Sequence, residues 1–343
     1  MGRLAKVGLA VGWVAALWFL VDWREAGVTL AGADPTLVAA AFAVSVIGVL
    51  ISADKWCHLL RRARVEITFR AAARLYWIGM FFSNFLPTSV GGDAVRLALT
   101  PSHGRLARVA GSILVERLTG LLVMLGLCAV GLSLRPVEVD EAGLGIALPL
   151  AVLAMGAGAA TLLLAPGPLA RLLPVITRPL PALLRCPLEG VQKVAMAIAD
   201  HARDAAGLGR ALAVSLPFYG TIILAQYLVL EAVGADLPFL EVVLLAPLVP
   251  LLTLLPLSLN GLGLAEAVFV LLYGSAGVAP ETALAAAALR RLVDLANSGM
   301  GGLLWLALKG AARRQEGGGG EATAMSWTAA RAAPDAAVAR TTA

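Results

Sequence analysis

Two polar, glycine-bearing breaks interrupt otherwise apolar stretches of this chain: Phe85-Leu-Pro-Thr-Ser-Val-Gly-Gly-Asp93 and Leu255-Pro-Leu-Ser-Leu-Asn-Gly-Leu-Gly263. They read as degenerate copies of one another. A lipid interior offers no hydrogen bonds to free backbone groups, so non-helical chain survives at membrane depth only when packed in protein or lining a polar cavity. Paired breaks in two halves of a chain point to a transporter built from repeats.

The surroundings of the breaks must therefore be membrane. Hydrophobic residues make up 59% of the chain and charged residues only 14%, against roughly 45–50% apolar for soluble domains. The net charge of +5 comes from basic residues set between apolar segments, where they act as topology determinants and not as a nucleic-acid surface. Cys57, Cys128 and Cys186 lie far apart, and His58, His103 and His201 share no ligand spacing. No disulfide framework, metal site or cofactor is expected. Met1 to Val21 has the form of a signal peptide, but Asp22, Arg24 and Glu25 separate it from the small residues Ala31-Gly-Ala33. It reads as an uncleaved first helix.

Apolar stretches of about 20 residues, the length that spans a bilayer, cover Leu4 to Val21, Thr36 to Ala53, Ala107 to Leu134, Gly143 to Ala165, Ala211 to Val233 and Ala283 to Leu308. Two further stretches carry the breaks: Leu75 to Val90 and Leu240 to Gly274. Arg3 and Lys6 place the N-terminus in the cytoplasm, and the second span returns to the basic Lys55 to Arg74 segment. A complete crossing by Leu75 to Val90 would export the basic loop holding Arg171, Arg178, Arg185, Lys193, Arg203 and Arg210, against the positive-inside rule. That stretch is expected to be re-entrant. Leu240 to Gly274 then leaves from and returns to the external side, as a hairpin or as two spans, and the C-terminus is cytoplasmic.

The expectation is an all-α polytopic membrane protein, with about six full spans plus two broken or re-entrant segments, up to eight or nine helices, and an inverted-topology repeat. The membrane domain covers 1–314. The Gly-, Ala- and Thr-rich tail, 315–343, lacks a folding pattern.

Charges inside the spans mark the candidate site. Glu116 and Arg117 interrupt one span, and Arg290, Arg291 and Asp294 another, where a charge costs roughly 2.5–3.5 kcal/mol unless paired or wetted. Adjacent helical residues point in different directions, so Glu116 and Arg117 need partners elsewhere. Bridges from Glu116 to Arg291, or Arg117 to Asp294, would join the two halves, and Asp294 is spaced to pair with either arginine of its own helix. Either these are structural ion pairs or an arginine faces a cavity and holds an anion, since guanidinium matches phosphate bidentately. Gly91 and Gly92 can expose N–H groups at a helix start. Asp93 then caps that helix or joins the site with Arg96. Asn84, Ser89, Ser258, Asn260 and Gly261 satisfy broken backbone, face the substrate, or both. Glu266 follows the second break, where a carboxylate complements a helix start. Trp13, Trp18, Trp23, Trp56, Trp77 and Trp305 fall mostly near span ends, as interfacial anchors do.

Asn84-Phe-Leu-Pro-Thr-Ser-Val-Gly-Gly-Asp-Ala-Val-Arg96, Glu116-Arg-Leu-Thr-Gly120, and Pro256-Leu-Ser-Leu-Asn-Gly-Leu-Gly263 with Glu266 together resemble the lysylphosphatidylglycerol synthase membrane region, also called the flippase-like family. The resemblance runs from about Leu4 to Leu308. It implies a lipid-handling membrane domain, whose relatives act on lipids with anionic or aminoacylated headgroups, polyprenyl-phosphate-linked sugars or hopanoid-type lipids. The arginine that often precedes the glutamate of the last motif is Ala265 here, which removes any role that arginine would have. A soluble aminoacyl-transferase domain is not expected, and lipid aminoacylation with it.

The reading is an inner-membrane lipid flippase, more a transporter than an enzyme, in which an anionic headgroup pairs with Arg117, Arg291 or Arg96 and the acyl or prenyl tails stay in the bilayer. Asp93, Glu116 and Glu266 balance these cations in the empty site. Expected partners are the bilayer, a lipid with an anionic headgroup and a separate lipid-modifying enzyme, with no nucleic acid. The alternatives are a membrane transferase acting on a lipid-linked sugar and a non-transporting partner of a lipid synthase.

Overall fold

A computed structural model describes residues 21–85, 91–101, 104–134, 144–164, 182–253 and 263–317. The described residues form helices: α1 (Trp23–Ala31), α2 (Pro35–Arg62), α3 (Phe69–Phe85), α4 (Gly91–Leu99), α5 (Leu106–Leu134), α6 (Leu144–Leu164), α7 (Ala182–Ala202), α8 (Ala205–Ala232), α9 (Phe239–Leu245), α10 (Leu248–Thr253), α11 (Leu264–Gly274) and α12 (Pro280–Gly317). Of these, α2, α5 and α8 are long and apolar enough to cross a membrane. They contain the spans expected at 36–53 and 107–134, and that at 211–233 but for its last residue. The spans expected at 143–165 and 283–308 fall on α6 and α12, whereas the first, 4–21, lies outside the described residues except for its last position.

Helices α2 and α8 are built alike. Each has 28 residues and starts after an aspartate: the Asp34 carboxylate accepts from the Thr36 N–H at 2.7 Å, and that of Asp204 from the Gly207 N–H at 3.1 Å. Short polar side chains satisfy the first free N–H groups of a helix in this way. The far ends also match. Val65 N–H bonds back to the Leu60 carbonyl at 2.9 Å, and Ala235 N–H to that of Leu230 at 3.0 Å. This closure requires a left-handed residue, supplied by Arg64 at φ 59° and Gly234 at φ 77°. Phe69 and Phe239 then open α3 and α9. Asp34 and Asp204, Arg64 and Gly234, and Phe69 and Phe239 all stand at one constant sequence offset, so the halves are copies of one fold unit.

The copies are related by a pseudo-two-fold axis. Arg62, ending α2, pairs with Asp204, which caps α8, and at the other end the Asp34 N–H donates to the Ala232 carbonyl at 2.9 Å. Between them, Lys55 bonds Ser215 at 2.9 Å and Gly48 lies against Thr221. The helices therefore run antiparallel, and the axis exchanging them is perpendicular to both. For helices that cross a membrane, such an axis lies in the membrane plane, the arrangement of an inverted repeat.

Both broken stretches are hairpins. At 1.5 Å per residue, α3 is about 25 Å long and α4 only about 13 Å, and each falls short of the ~30 Å hydrocarbon thickness. Helix α4 folds back along α3 with Gly92 against Gly79, and Arg105, just before α5, donates to the carbonyl of Arg64, just before α3. The chain leaves from the end at which it came in. In the second copy, α11 returns to the end of α8, where Gln226 donates to the Tyr273 hydroxyl, and Glu281 at the start of α12 accepts from the Asp22 N–H. Leu240 to Gly274 is thus a hairpin, not two spans. Its tip, like that of the first hairpin, lies outside the described residues.

Each hairpin packs on the closing helix of the other half. Trp77 donates to Asn297 at 3.0 Å and Asn84 to Ser298 at 2.7 Å, tying α3 to α12. Reciprocally, Gly131 of α5 lies against the Leu244 carbonyl of α9. Three expectations are corrected. Lys55 belongs to α2 and is buried, not part of a basic loop, because the helix continues to Arg62. Trp56 and Trp77 are buried with their indole N–H groups bonded to Ser112 and Asn297, so they are core residues and not interfacial anchors. The loop expected from Arg171 to Arg210 is helical from Ala182, as α7 and the start of α8; residues 165–181 lie outside the described set.

Candidate functional site

The return leg of the first hairpin, α4, begins at Gly91, and its first turn carries Asp93. A methyl group at Gly92 would overlap the Ser83 hydroxyl and the Gly79 carbonyl. This glycine therefore allows close helix approach and leaves no room for a ligand. Asp93 is inside the helix and not its cap, because both its oxygens face arginines. Oδ1 lies 3.3 Å from Arg96 Nη1, and Oδ2 accepts from Arg117 Nε.

Around this pair lies a dense buried network. Arg96 Nη2 donates to Glu116 Oε2 at 2.5 Å and the Tyr76 hydroxyl to Glu116 Oε1 at 3.0 Å. The Arg96 guanidinium sits 4.0 Å from the Trp56 ring centroid and 4.3 Å from that of Tyr76, within the range of a cation–π contact. Lys55 Nζ donates to the Glu116 carbonyl at 3.0 Å and to Ser215 Oγ at 2.9 Å. Two arginines thus share two carboxylates, while the Lys55 amine is met by a carbonyl and a hydroxyl, and these bonds offset the desolvation that each buried charge alone would suffer.

Exposure separates the scaffold from the presented group. The Arg96, Glu116 and Asp93 side chains are 5%, 6% and 10% exposed, whereas that of Arg117 is 52% exposed. Arg96 is walled in by two rings and two carboxylates, so it positions the network and has no open face for a ligand. Arg117 pairs with the buried Asp93 through Nε, and about half of its side-chain surface is exposed.

The second copy repeats the motif. Gly263, at φ 75°, leads into α11, whose first turn carries Glu266. The Glu266 carboxylate pairs with Arg291 Nε at 2.7 Å. Asp93 and Arg117 are 24 residues apart, Glu266 and Arg291 25. Arg117 lies 11 residues after Leu106 and Arg291 11 after Pro280, so each sits roughly 16 Å along its closing helix, about half a bilayer core from the start. Beside this pair, Arg290 Nη2 bridges to Asp294 at 3.0 Å and Nη1 reaches Ser45 Oγ at 3.4 Å.

Several sequence-derived positions therefore come together and others do not. Asp93, Arg96, Glu116 and Arg117 form one cluster, and Glu266, Arg291, Arg290 and Asp294 lie on the two helices of its counterpart. The bridges expected from Glu116 to Arg291 and from Arg117 to Asp294 do not form. Each half satisfies its own charges, because the helix after a hairpin tip brings a first-turn carboxylate against the next helix. Asn84 ties α3 to α12. Ser89, Ser258, Asn260 and Gly261 lie outside the described residues. Sequence reasoning missed Lys55, Tyr76, Trp56 and Ser215. Only Lys55 left a signal, as a lone amine at the end of an apolar run. Among the described residues no group of His, Cys, Asp and Glu is arranged to hold a metal ion.

The family model described as lysylphosphatidylglycerol synthase TM region matches residues 4–299. No curated protein and no solved structure matches the chain.

Proposed function

This chain belongs to the lysylphosphatidylglycerol synthase TM region family, multi-pass membrane proteins of lipid-related function, and we propose that it moves lipids with an anionic or phosphate-linked headgroup across the bilayer. What carries this reading is the two-fold pair of partly exposed, carboxylate-paired arginines. Arg117 and Arg291 stand at mid-depth of opposite halves, each held by a first-turn carboxylate, with side-chain exposures of 52% and 28%. A headgroup phosphate competes with Asp93 or Glu266 for the guanidinium, which those carboxylates neutralise in the empty site, while the tails remain in lipid. Two equivalent stations reached from opposite faces suit a substrate that is handed from one leaflet to the other.

In this reading the protein sits in a cell inner membrane with both termini in the cytoplasm. Arg61, Arg62, Arg64, Arg105, Arg108, Arg203 and Arg210 gather at the end where α2 finishes, whereas Asp22, Glu25, Asp34, Asp236 and Glu281 gather at the other. The basic end faces inward by the positive-inside rule.

Native mass spectrometry of the purified protein tests the reading. Wild type is expected to retain one class of phosphate-bearing lipid, which Arg117→Gln and Arg291→Gln lose while staying folded. Unselective retention, equal in all three proteins, would make the arginines structural and end the transport proposal.

A further inference from the structure

A cavity of about 310 Å³ opens at the arginine-rich end, between the end of α2, the start of α5 and the α7–α8 turn. It is lined by Arg62, Arg64, Arg108, Asp200, His201 and Asp204 among others. The charges do not cancel. Arg62 pairs with Asp204 and holds that carboxyl at about 2, chiefly by its hydrogen bond, so the aspartate stays charged and spoken for. Asp200 lies 3.7 Å from Arg203. His201 is buried with both ring nitrogens against backbone carbonyls, of Ala197 at 2.8 Å and Leu59 at 3.3 Å, and so forms wall. The guanidinium groups of Arg64 and Arg108 remain, exposed and without an ion-pair partner among the described residues.

Arg64 is also set apart by its backbone. It is the only non-glycine residue at positive φ among the described residues, and the other copy of the fold places Gly234 at the equivalent position. Glycine takes this conformation freely, whereas an L side chain there is strained. A side chain kept at a strained backbone position points to a use for that side chain. The equivalent end of the second copy has Ala232 for Arg62 and Gly234 for Arg64, so among the described residues the basic cavity belongs to one face.

We propose that this cavity is a binding site for a phosphomonoester, distinct from the intramembrane arginines and confined to the arginine-rich face. Two guanidinium groups without carboxylate partners match the charge of a phosphomonoester, near −1.5 to −2 at neutral pH, better than the single charge of a phosphodiester. Arginine forks hold such an oxygen cluster bidentately, and the volume admits a headgroup-sized ligand. The phosphate can be borne by a membrane lipid, since the cavity lies at the end of spanning helices, or by a soluble metabolite.

The test uses full-length protein in phosphatidylcholine nanodiscs, with phosphatidic acid as the lipid phosphomonoester and glycerol 3-phosphate as the soluble one. Native mass spectrometry reads the first and calorimetry the second. Wild type is expected to bind at least one, and Arg64→Gly and Arg108→Gln each weaken it by about tenfold, the effect of losing one charge-assisted contact. Arg64→Gly removes the strain, so its melting temperature does not fall, and a loss of binding cannot be put down to unfolding. Retention of phosphatidic acid without glycerol 3-phosphate binding names the lipid source, and the converse names the soluble one. Binding unchanged in the folded double variant, or no binding of either probe by wild type, overturns the site. Arg117→Gln leaves glycerol 3-phosphate binding and the part of phosphatidic acid retention that depends on Arg64 and Arg108 intact, so failure here and failure of the transport reading are separate results.

Discussion

Glu116 and Arg117 are sequence neighbours with opposite roles. A helix turns by about 100° per residue, so Glu116 faces inward to Arg96 and Tyr76 while Arg117 faces the open side and Asp93. Removing the inner charge leaves the Arg96 guanidinium buried with one distant aspartate oxygen, and breaking a buried pair in this way costs about 3–5 kcal/mol. Glu116→Gln should therefore lower the thermal midpoint in detergent sharply. Arg117→Gln removes a half-exposed side chain and leaves Asp93 paired with Arg96, so it should cost clearly less stability than Glu116→Gln. Equal losses in the two variants would dissolve the division between scaffold and presented group. The charges themselves were legible in the sequence. Their partners were not, because a carboxylate 20 or 24 residues away becomes a neighbour only when α4 folds back.

At the scale of the element, the first hairpin is held by close backbone contact. Gly79 and Gly92 let α3 and α4 touch without side chains between them, and Gly79 also faces the Arg96 stem at 2.7 Å from where a Cβ would lie. Gly92→Ala forces the two legs apart and should destabilise the protein by about 1–3 kcal/mol, the range for overpacking. Gly126→Ala, on a helix face with nothing within 4 Å, should be neutral or stabilising by up to about 1 kcal/mol. Melting curves of the two variants measure the contrast, and an equally mild effect at both positions would place no importance on the crossing. The sequence marked the breaks, since polar and glycine residues stand out in an apolar run. That the second was a hairpin and not two spans depended on where its return leg docked, which hydropathy does not encode.

Across the whole molecule, the antiparallel α2–α8 pair makes the halves inverted copies. The α2–α3 and α8–α9 turns are then equivalent loops at opposite ends, with Glu66 and Asp236 exposed at matching positions. In a background lacking the native cysteines, Glu66→Cys should react with an impermeant thiol reagent from one side of sealed, oriented vesicles and Asp236→Cys from the other. Reaction of both from one side would refute the inversion. Inward-facing Glu66 is the expected polarity, since its neighbours are the arginines of the basic end.

Hydropathy and charge order by themselves determined that the chain is helical and membrane-spanning, where most spans run, and that one broken segment must re-enter. These follow from local composition, because a bilayer imposes length and polarity on every segment separately. Tertiary structure alone decided which charges pair, that Arg96 is enclosed while Arg117 is open, and that Lys55 and Trp56 belong to the core. Pairing needs two distant segments in register, and burial depends on everything packed around a side chain. Neither is a property of any one stretch of sequence.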